Sequence, residues 1–358
     1  MTYRFQHQRH LLPLRAPLRT AHGAWAGREG LLVRIEDRDG RIGFGEVAPI
    51  PWFGTETLAE AETVCAGLRG RVGPDILAAI PERYGCVRFA VACALAEVER
   101  AVPPRPDEEA RGEAAAPPTR LPVVALLPAG KPALDDLRAR LEAGFLSFKW
   151  KVAVGRPEDE LALLDDLLAA LPPYARLRLD ANGGWDRRQA RRWLERCAER
   201  PVEFVEQPVA ASDEDALRGL AEDFPVTLAL DESVVRLADA RRWHAAGWRG
   251  VFVIKPAICG PLGEIEAWAR ESRADLVLSS AIETAVARAA ILRWALARGI
   301  TKRALGFGTG ELFESRAANG PILGALADAG WAGSFDPRLL WDEIAAEKSH
   351  GPAGESRA

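Results

Sequence analysis

Short apolar runs recur about every 25 residues between positions 121 and 309, and amphipathic helical segments lie between most of them. Leu121–Leu127, Ser147–Val152, Arg176–Ala181, Glu203–Pro208, Thr227–Ser233, Gly250–Pro256, Asp275–Ser280 and Ala304–Thr309 read as strands. Pro157–Ala170, Arg187–Arg200 and Glu214–Phe224 read as helices between them. Strand and helix alternating eight times predict parallel βαβ units that close into a (β/α)8-type barrel.

The first hundred residues follow a different pattern. Tyr3–Leu14, Gly30–Asp37 and Ile42–Val47 read as strands, with a turn at Arg38-Asp39-Gly40-Arg41, which predicts an antiparallel meander. Helical patterns follow at Thr57–Gly67 and Val87–Val102, so this part reads as α+β. Pro103–Pro122 is rich in Pro, Glu, Arg and Ala without apolar periodicity. It reads as a mobile linker, with a short exposed helix through Asp107–Ala116 as the alternative. A last helical segment, Asp336–Lys348, follows the barrel.

Composition changes this picture little. The 358 residues suffice for a large barrel and a smaller domain, and 48% apolar residues can fill the cores. Lys and Arg number 47 against 51 Asp and Glu, a net charge of −4, which suggests neither nucleic acid nor an anionic membrane surface as partner. Met1–Arg19 is basic and lacks the apolar core of a secretory signal. The apolar stretch Ala285–Gly299 is interrupted by Arg288, Arg293 and Arg298, and reads as a buried helix, not a membrane span. Five cysteines without metal-ligand spacing suit a reducing, cytoplasmic setting.

The chemistry lies at the strand ends. Asp180, Glu206 and Asp231 each close one of three consecutive apolar runs. Three carboxylates brought together repel and need a cation to stay ionised. Oxygen donors without Cys or His nearby favour Mg²⁺. Lys149 and Lys151 sit at i and i+2 of the preceding strand, so both point to one side, and Lys255 ends the following strand. A lysine beside another ammonium has a lowered pKa and can act as a base, so Lys149 is expected to tune Lys151. One lysine or acid at a strand end is ordinarily a solvated charge or an ion-pair partner. Five such residues in order on successive strand ends are not explained that way.

Lys149-Trp-Lys151, Asp180-Ala-Asn182, Val205-Glu206-Gln-Pro, Asp231-Glu-Ser and Ile254-Lys255-Pro resemble the motifs of the enolase superfamily, in its muconate-lactonizing-enzyme subgroup. The resemblance extends over nearly the whole chain. It implies a (β/α)7β TIM-like barrel with an N-terminal α+β capping domain whose loops close over the substrate. On this basis residues 1–119 form the cap and its linker, 120–312 the barrel, and 313–358 a C-terminal segment packing back on the cap and ending in a disordered tail. Three further stretches are similar to the o-succinylbenzoate synthase family. They are Gly43–Gly54, Leu18–Gly23 and Leu278–Thr284.

That family resemblance implies a magnesium-dependent lyase acting on a small carboxylate, with Mn²⁺ able to substitute. Asp180, Glu206 and Asp231 would hold the metal, and Lys151 would be base and acid of a syn-dehydration that feeds menaquinone or phylloquinone synthesis. Lys255 would stabilise the anion across the ring. Asn182, Ser279, Ser280, Trp52, Phe53 and His22 would contact the substrate. For Trp52 and Phe53 an apolar plug between cap and barrel is the alternative; for the serines, capping of the next helix. An epimerase of dipeptides or a racemase of N-acylamino acids would use the same five residues, and a non-catalytic barrel is the remaining alternative.

Overall fold

A computed structural model describes residues 3–20, 23–68, 72–100, 120–299 and 301–349. Of the expected linker Pro103–Pro122, residues 103–119 lie outside the described residues, as does the C-terminal tail from 350, while Arg120–Pro122 is a strand and not linker. The chain begins with an antiparallel sheet of β1 (Arg4–Thr20), β2 (Gly23–Glu36) and β3 (Ile42–Val47), in that order. The β2–β3 turn is set by Asp37, whose Oδ1 accepts from the amides of Asp39 (2.9 Å) and Arg41 (2.8 Å). Such a side-chain turn lets a short polar loop satisfy its own backbone. The helix Leu58–Gly67 starts on a capping box in which Thr57 and Glu60 exchange hydrogen bonds. The helix Gly85–Arg100 covers one face of the sheet, so that Phe5, Leu31, Val33 and Ile35 pack with Val87, Phe89, Ala90 and Val91.

After β4 (Arg120–Pro122), seven parallel strands form one curled sheet. They are β5 (Ala125–Leu127), β6 (Ser147–Lys151), β7 (Arg176–Asp180), β8 (Val202–Glu206), β9 (Leu228–Leu230), β10 (Val251–Ile254) and β11 (Leu276–Leu278), side by side in chain order. Helices connect them on the outside, as right-handed crossovers require. The eighth expected strand, Ala304–Thr309, is reduced to two parallel bridges. Leu305 pairs with Val123 and Gly306 with Ser279, and these join the two edges of the sheet. The approach at this seam is close enough to require glycine. A Cβ on Gly306 would meet Ser279 Oγ at 2.6 Å, and one on Gly308 would meet the Val124 carbonyl at 1.9 Å. The chemistry-bearing ends of all these strands lie at one rim, under the cap.

Residues after the barrel touch both parts. Leu326–Asp328 pairs antiparallel with β4. Phe313, Phe335, Leu340 and Ile344 join Leu12, Leu14, Leu32 and Phe44 of the antiparallel sheet and Val286 and Ala289 of the barrel helix Ala285–Arg298 in a second core. Among the described residues, no helix is long and apolar enough to cross a membrane.

Candidate active site

Strand alternation decides which side chains reach the barrel axis. On β6, Phe148 and Trp150 are buried, while Lys149 and Lys151 face the other way and are half-buried. The register then sets Lys151 opposite Asp180, and Asp180 opposite Glu206, on three adjacent strands. Asp231 directly follows β9 and Lys255 directly follows β10. One or more residues lower on the same parity, Phe204, Ala229, Val251, Val253 and Val277 form a separate apolar cluster. The barrel is thus filled with hydrocarbon below and carries its charges above, as expected where rim loops hold the chemistry.

The charges are tightly paired. The Lys149 ammonium lies 2.7 Å from Asp180 Oδ2 and 2.6 Å from Glu206 Oε1. Lys255 pairs with Asp231 Oδ1. Burial works to lower the Lys149 pKa, but Asp180, Glu206 and Asp231 outweigh it and hold it above its ordinary value. Lys149 is therefore a fixed cation between two acids. Glu206 is 1% exposed. Burial, and then the charge of Asp180, push its pKa well up against the pull of Lys149. Glu232, next to Asp231, is pushed up to about 7 by burial first and by Asp231 second. Among the described residues, Lys151 has no carboxylate within ion-pairing distance.

A cavity of about 410 Å³ opens above these groups, within the range of small-molecule sites. Lys149, Lys151, Asp180, Asn182, Asp231, Glu232, Lys255, Ser279 and Ser280 supply its polar wall, and Leu18, Trp25, Ile50, Trp52 and Phe53 its apolar wall. The chain turn Pro51–Phe53 brings Phe53 over Lys255, with Nζ 4.3 Å from the ring centroid. Trp52 stacks edge-on against Phe53 and against Trp25 of β2, at 5.9 and 5.6 Å between centroids. The aromatic residues are thus both a plug between cap and barrel and part of the cavity wall.

The structure brings together ten of the residues singled out from the sequence: three lysines, Asp180, Asp231, Asn182, both serines, Trp52 and Phe53. Glu206 lies beneath Lys149 and is not part of the wall. His22 lies outside the described residues. Asn182 is half tied down, because its Nδ2 donates to Glu232 Oε1 at 3.2 Å and its backbone amide to Asp180 Oδ1 at 3.1 Å. The Ser280 hydroxyl donates to both oxygens of the Glu283 carboxylate, at 3.1 and 3.0 Å, and does not cap the next helix. Thr284 does that, accepting from the Val286 amide at 3.2 Å.

Other contributors were not foreseen. Gln207, fully buried, accepts from the amides of Asp231 (3.1 Å) and Ser233 (3.2 Å) and so fixes the turn that presents Asp231. It stands inside the Glu206-Gln-Pro motif, the one signal that pointed to it. Glu160 accepts from the amides of Ala153, Val154 and Gly155, at 3.0, 3.0 and 2.8 Å, and clamps the turn after Lys151. Ala153, Asn182, Gln207 and Ile282 have positive φ, each one or two residues beyond a site residue. Nothing in an apolar-run pattern announces that.

Among the described residues, no three Asp, Glu, His or Cys side chains stand together as a metal-holding group. Lys149 and Lys255 neutralise the acids in this arrangement. The donor chemistry nevertheless fits a hard divalent cation. All donors are oxygens, Asp180, Glu206 and Asp231 are buried, and with the half-buried Glu232 four carboxylates outnumber the three ammoniums of the site.

Comparison with known proteins adds an independent line. Residues 3–98 match the family model "MenC, N-terminal domain", and residues 133–314 match "Enolase C-terminal domain-like". The o-succinylbenzoate synthase of Thermosynechococcus vestitus is 42% identical over 304 residues, covering 83% of this chain and 89% of that one. That of Yersinia enterocolitica is 31% identical over 296 residues, covering 80% and 84%. The crystal structure of o-succinylbenzoate synthase from Thermosynechococcus elongatus, complexed with Mg in the active site, superposes with a TM-score of 0.80 at 38% identity, covering 95% of this chain and 99% of the other. The L-Ala-D/L-Glu epimerase from Bacillus subtilis shares the fold, with a TM-score of 0.77 at 22% identity, covering 91% and 95%.

Proposed function

We infer the activity from one premise: the chain belongs to the o-succinylbenzoate synthase family of the enolase superfamily. It dehydrates 2-succinyl-6-hydroxy-2,4-cyclohexadiene-1-carboxylate to 2-succinylbenzoate and water, a step of menaquinone synthesis. The observation that supports this most is the rung Lys151–Asp180–Glu206 with Asp231 and Lys255 beside it, all but Glu206 walling one cavity beneath an aromatic lid.

In this reading Lys151 is the base, because Lys149 and Lys255 are already engaged by carboxylates. The Lys151 amine takes the proton α to the ring carboxylate, and the electron pair left on that carbon forms the new ring double bond. The C–O bond to the 6-hydroxyl breaks, and the Lys151 ammonium returns the proton to the departing hydroxide on the same face. Base and acid are then one group, and the gain from such proton transfer is about 10²- to 10⁴-fold. Lys149 stays charged and holds Asp180 and Glu206 in place. Lys255, kept over the ring of Phe53, contributes positive charge to the opposite face. Asp180, Glu206 and Asp231 would hold the Mg²⁺, with Mn²⁺ as a substitute, and the bound ion would stabilise negative charge on the substrate carboxylate.

The test is the wild-type protein with the cyclohexadiene substrate and Mg²⁺, following loss of the diene absorbance. Conversion to 2-succinylbenzoate is expected. Exchange of the α-hydrogen of N-acylamino acids or dipeptides in D₂O, with no dehydration of the cyclohexadiene, would replace this reading with the epimerase.

A further inference from the structure

Arg28 lies on β2, only 3% exposed, and does not wall the cavity. Its guanidinium meets five backbone carbonyls. Nε donates to Ile282 at 3.1 Å, Nη1 to Pro49 at 2.7 Å and Glu29 at 3.2 Å, and Nη2 to Ala48 at 2.5 Å and Ala281 at 3.3 Å. A guanidinium has five N–H donors in a rigid fork, so every donor is used. Glu29 is the next residue of β2, and the other four acceptors come from two places. Ala48 and Pro49 are the stem of the loop that ends in Trp52 and Phe53. Ala281 and Ile282 are cavity wall on the barrel side, beside Ser279 and Ser280. The same guanidinium lies 5.3 Å from the centroid of Trp25, the third aromatic of the lid.

Two further observations point to the same junction. Ile282 has φ of 60°, a left-handed conformation that β-branched residues rarely adopt and that persists only when the surroundings impose it. Its carbonyl is held by Arg28 and its amide donates to Ser280 Oγ at 3.0 Å. Next along the chain, the buried Glu46 of β3 accepts from the Thr284 amide (2.9 Å), the Thr284 hydroxyl (2.6 Å) and the Ala287 amide (3.3 Å). A cap carboxylate thus completes the N-terminus of a barrel helix, where negative charge is favoured. The cap grips residues 281–287 with one cation and one anion, and only the cation also grips the lid.

We propose that Arg28 is a positioning residue that fixes the spacing between the aromatic lid and the Ser279–Ile282 wall, and so sets how tightly the cavity holds its substrate. It acts through the two loops and touches no reacting atom. The kinetic part of the test rests on the dehydratase reading; the exchange part does not.

Arg28→Lys keeps the charge but has three donors, too few for both loops. By hydrogen exchange read by mass spectrometry on the free full-length protein, peptides covering 46–54 and 279–286 should both exchange roughly tenfold faster, while those covering 147–152 and 176–181 stay unchanged. In the dehydration assay KM should rise about tenfold with kcat within about threefold, because the lost interaction is one of uniform binding. Adding Ile282→Gly to Arg28→Lys should recover part of the protection of 279–286, since glycine adopts the left-handed conformation unaided. Faster exchange in one loop alone, or in neither, overturns the proposal. So does an unchanged KM with kcat falling in step with the folded fraction, which marks a merely structural residue. A wild type without dehydratase activity counts against the function instead, and the exchange data alone then decide on Arg28.

Discussion

At the barrel rim, Lys151, Asp180 and Glu206 are neighbours because adjacent parallel strands run in register. In the cap, Trp25, Trp52 and Phe53 are neighbours because a loop folds back on β2 and is tied there by Arg28. The rim needs only the two-residue period of a strand and the spacing of its neighbours. The cap needs contacts between segments far apart in the chain. The rim is therefore suited to a fixed set of charges, and the cap to adjustment of what those charges act on.

The largest effect should come from disturbing the rim. Removing divalent metal with a chelator should reduce dehydration below detection, and Mg²⁺ should restore it. Glu206→Gln should also abolish the Mg²⁺-induced rise in unfolding temperature. In the wild type, Mg²⁺ at 100 times its Kd should stabilise the fold by about 2.7 kcal/mol. An equal rise in both proteins would take Glu206 out of the metal-holding set.

A cap residue gives a smaller effect with a definite sign. His10 is buried, and burial first, then the charge of Arg28, push its pKa down to about 3. Below about pH 6.5 the unfolded chain binds a proton that the fold rejects, so this residue costs no stability above that pH and progressively more as pH falls toward 3. At pH 5 the loss is about 2 kcal/mol. His10→Leu should shrink the difference in unfolding free energy between pH 7.5 and pH 5 by about that amount in urea titrations. An unaltered slope would show that His10 is charged in the fold. The smallest effect is expected from the lid. Phe53→Ala removes one cation–π contact with Lys255 and should raise KM by about tenfold, the upper part of the range for such contacts. A loss confined to kcat would place Phe53 in the chemical step.

The same contrast explains what could be read from the residues. The apolar runs and the ionisable residues closing them marked the rim, because the strand period fixes both burial and direction. The barrel's last strand was harder to read. Ala304–Thr309 has the right residues, but it pairs with its neighbours through two isolated bridges, at a seam tight enough to require Gly306 and Gly308. β1 and β2 run beyond Leu14 and begin before Gly30, because their ends are held by pairing with each other and carry no alternation of their own. The short helix Pro74–Ala79 and the pairing of Leu326–Asp328 with β4 left no periodic trace either. Lys149 was expected to tune Lys151; its ion pairs with Asp180 and Glu206 are a further set of contacts that strand spacing alone does not reveal. Arg28 falls just before the strand read at Gly30–Asp37 and carried no signal; only the fold shows five carbonyls converging on it.

The central claim is that Lys151 alone moves the proton while Lys255 supplies charge. Lys151→Arg and Lys255→Arg keep the positive charge but replace each amine by a guanidinium that stays protonated. Single-turnover dehydration of the cyclohexadiene carboxylate with saturating Mg²⁺ should be measured for both. The account predicts that Lys255→Arg retains measurable dehydration, whereas Lys151→Arg falls by roughly 10³-fold or more. Equal loss in the two variants would contradict it and require both lysines to transfer protons.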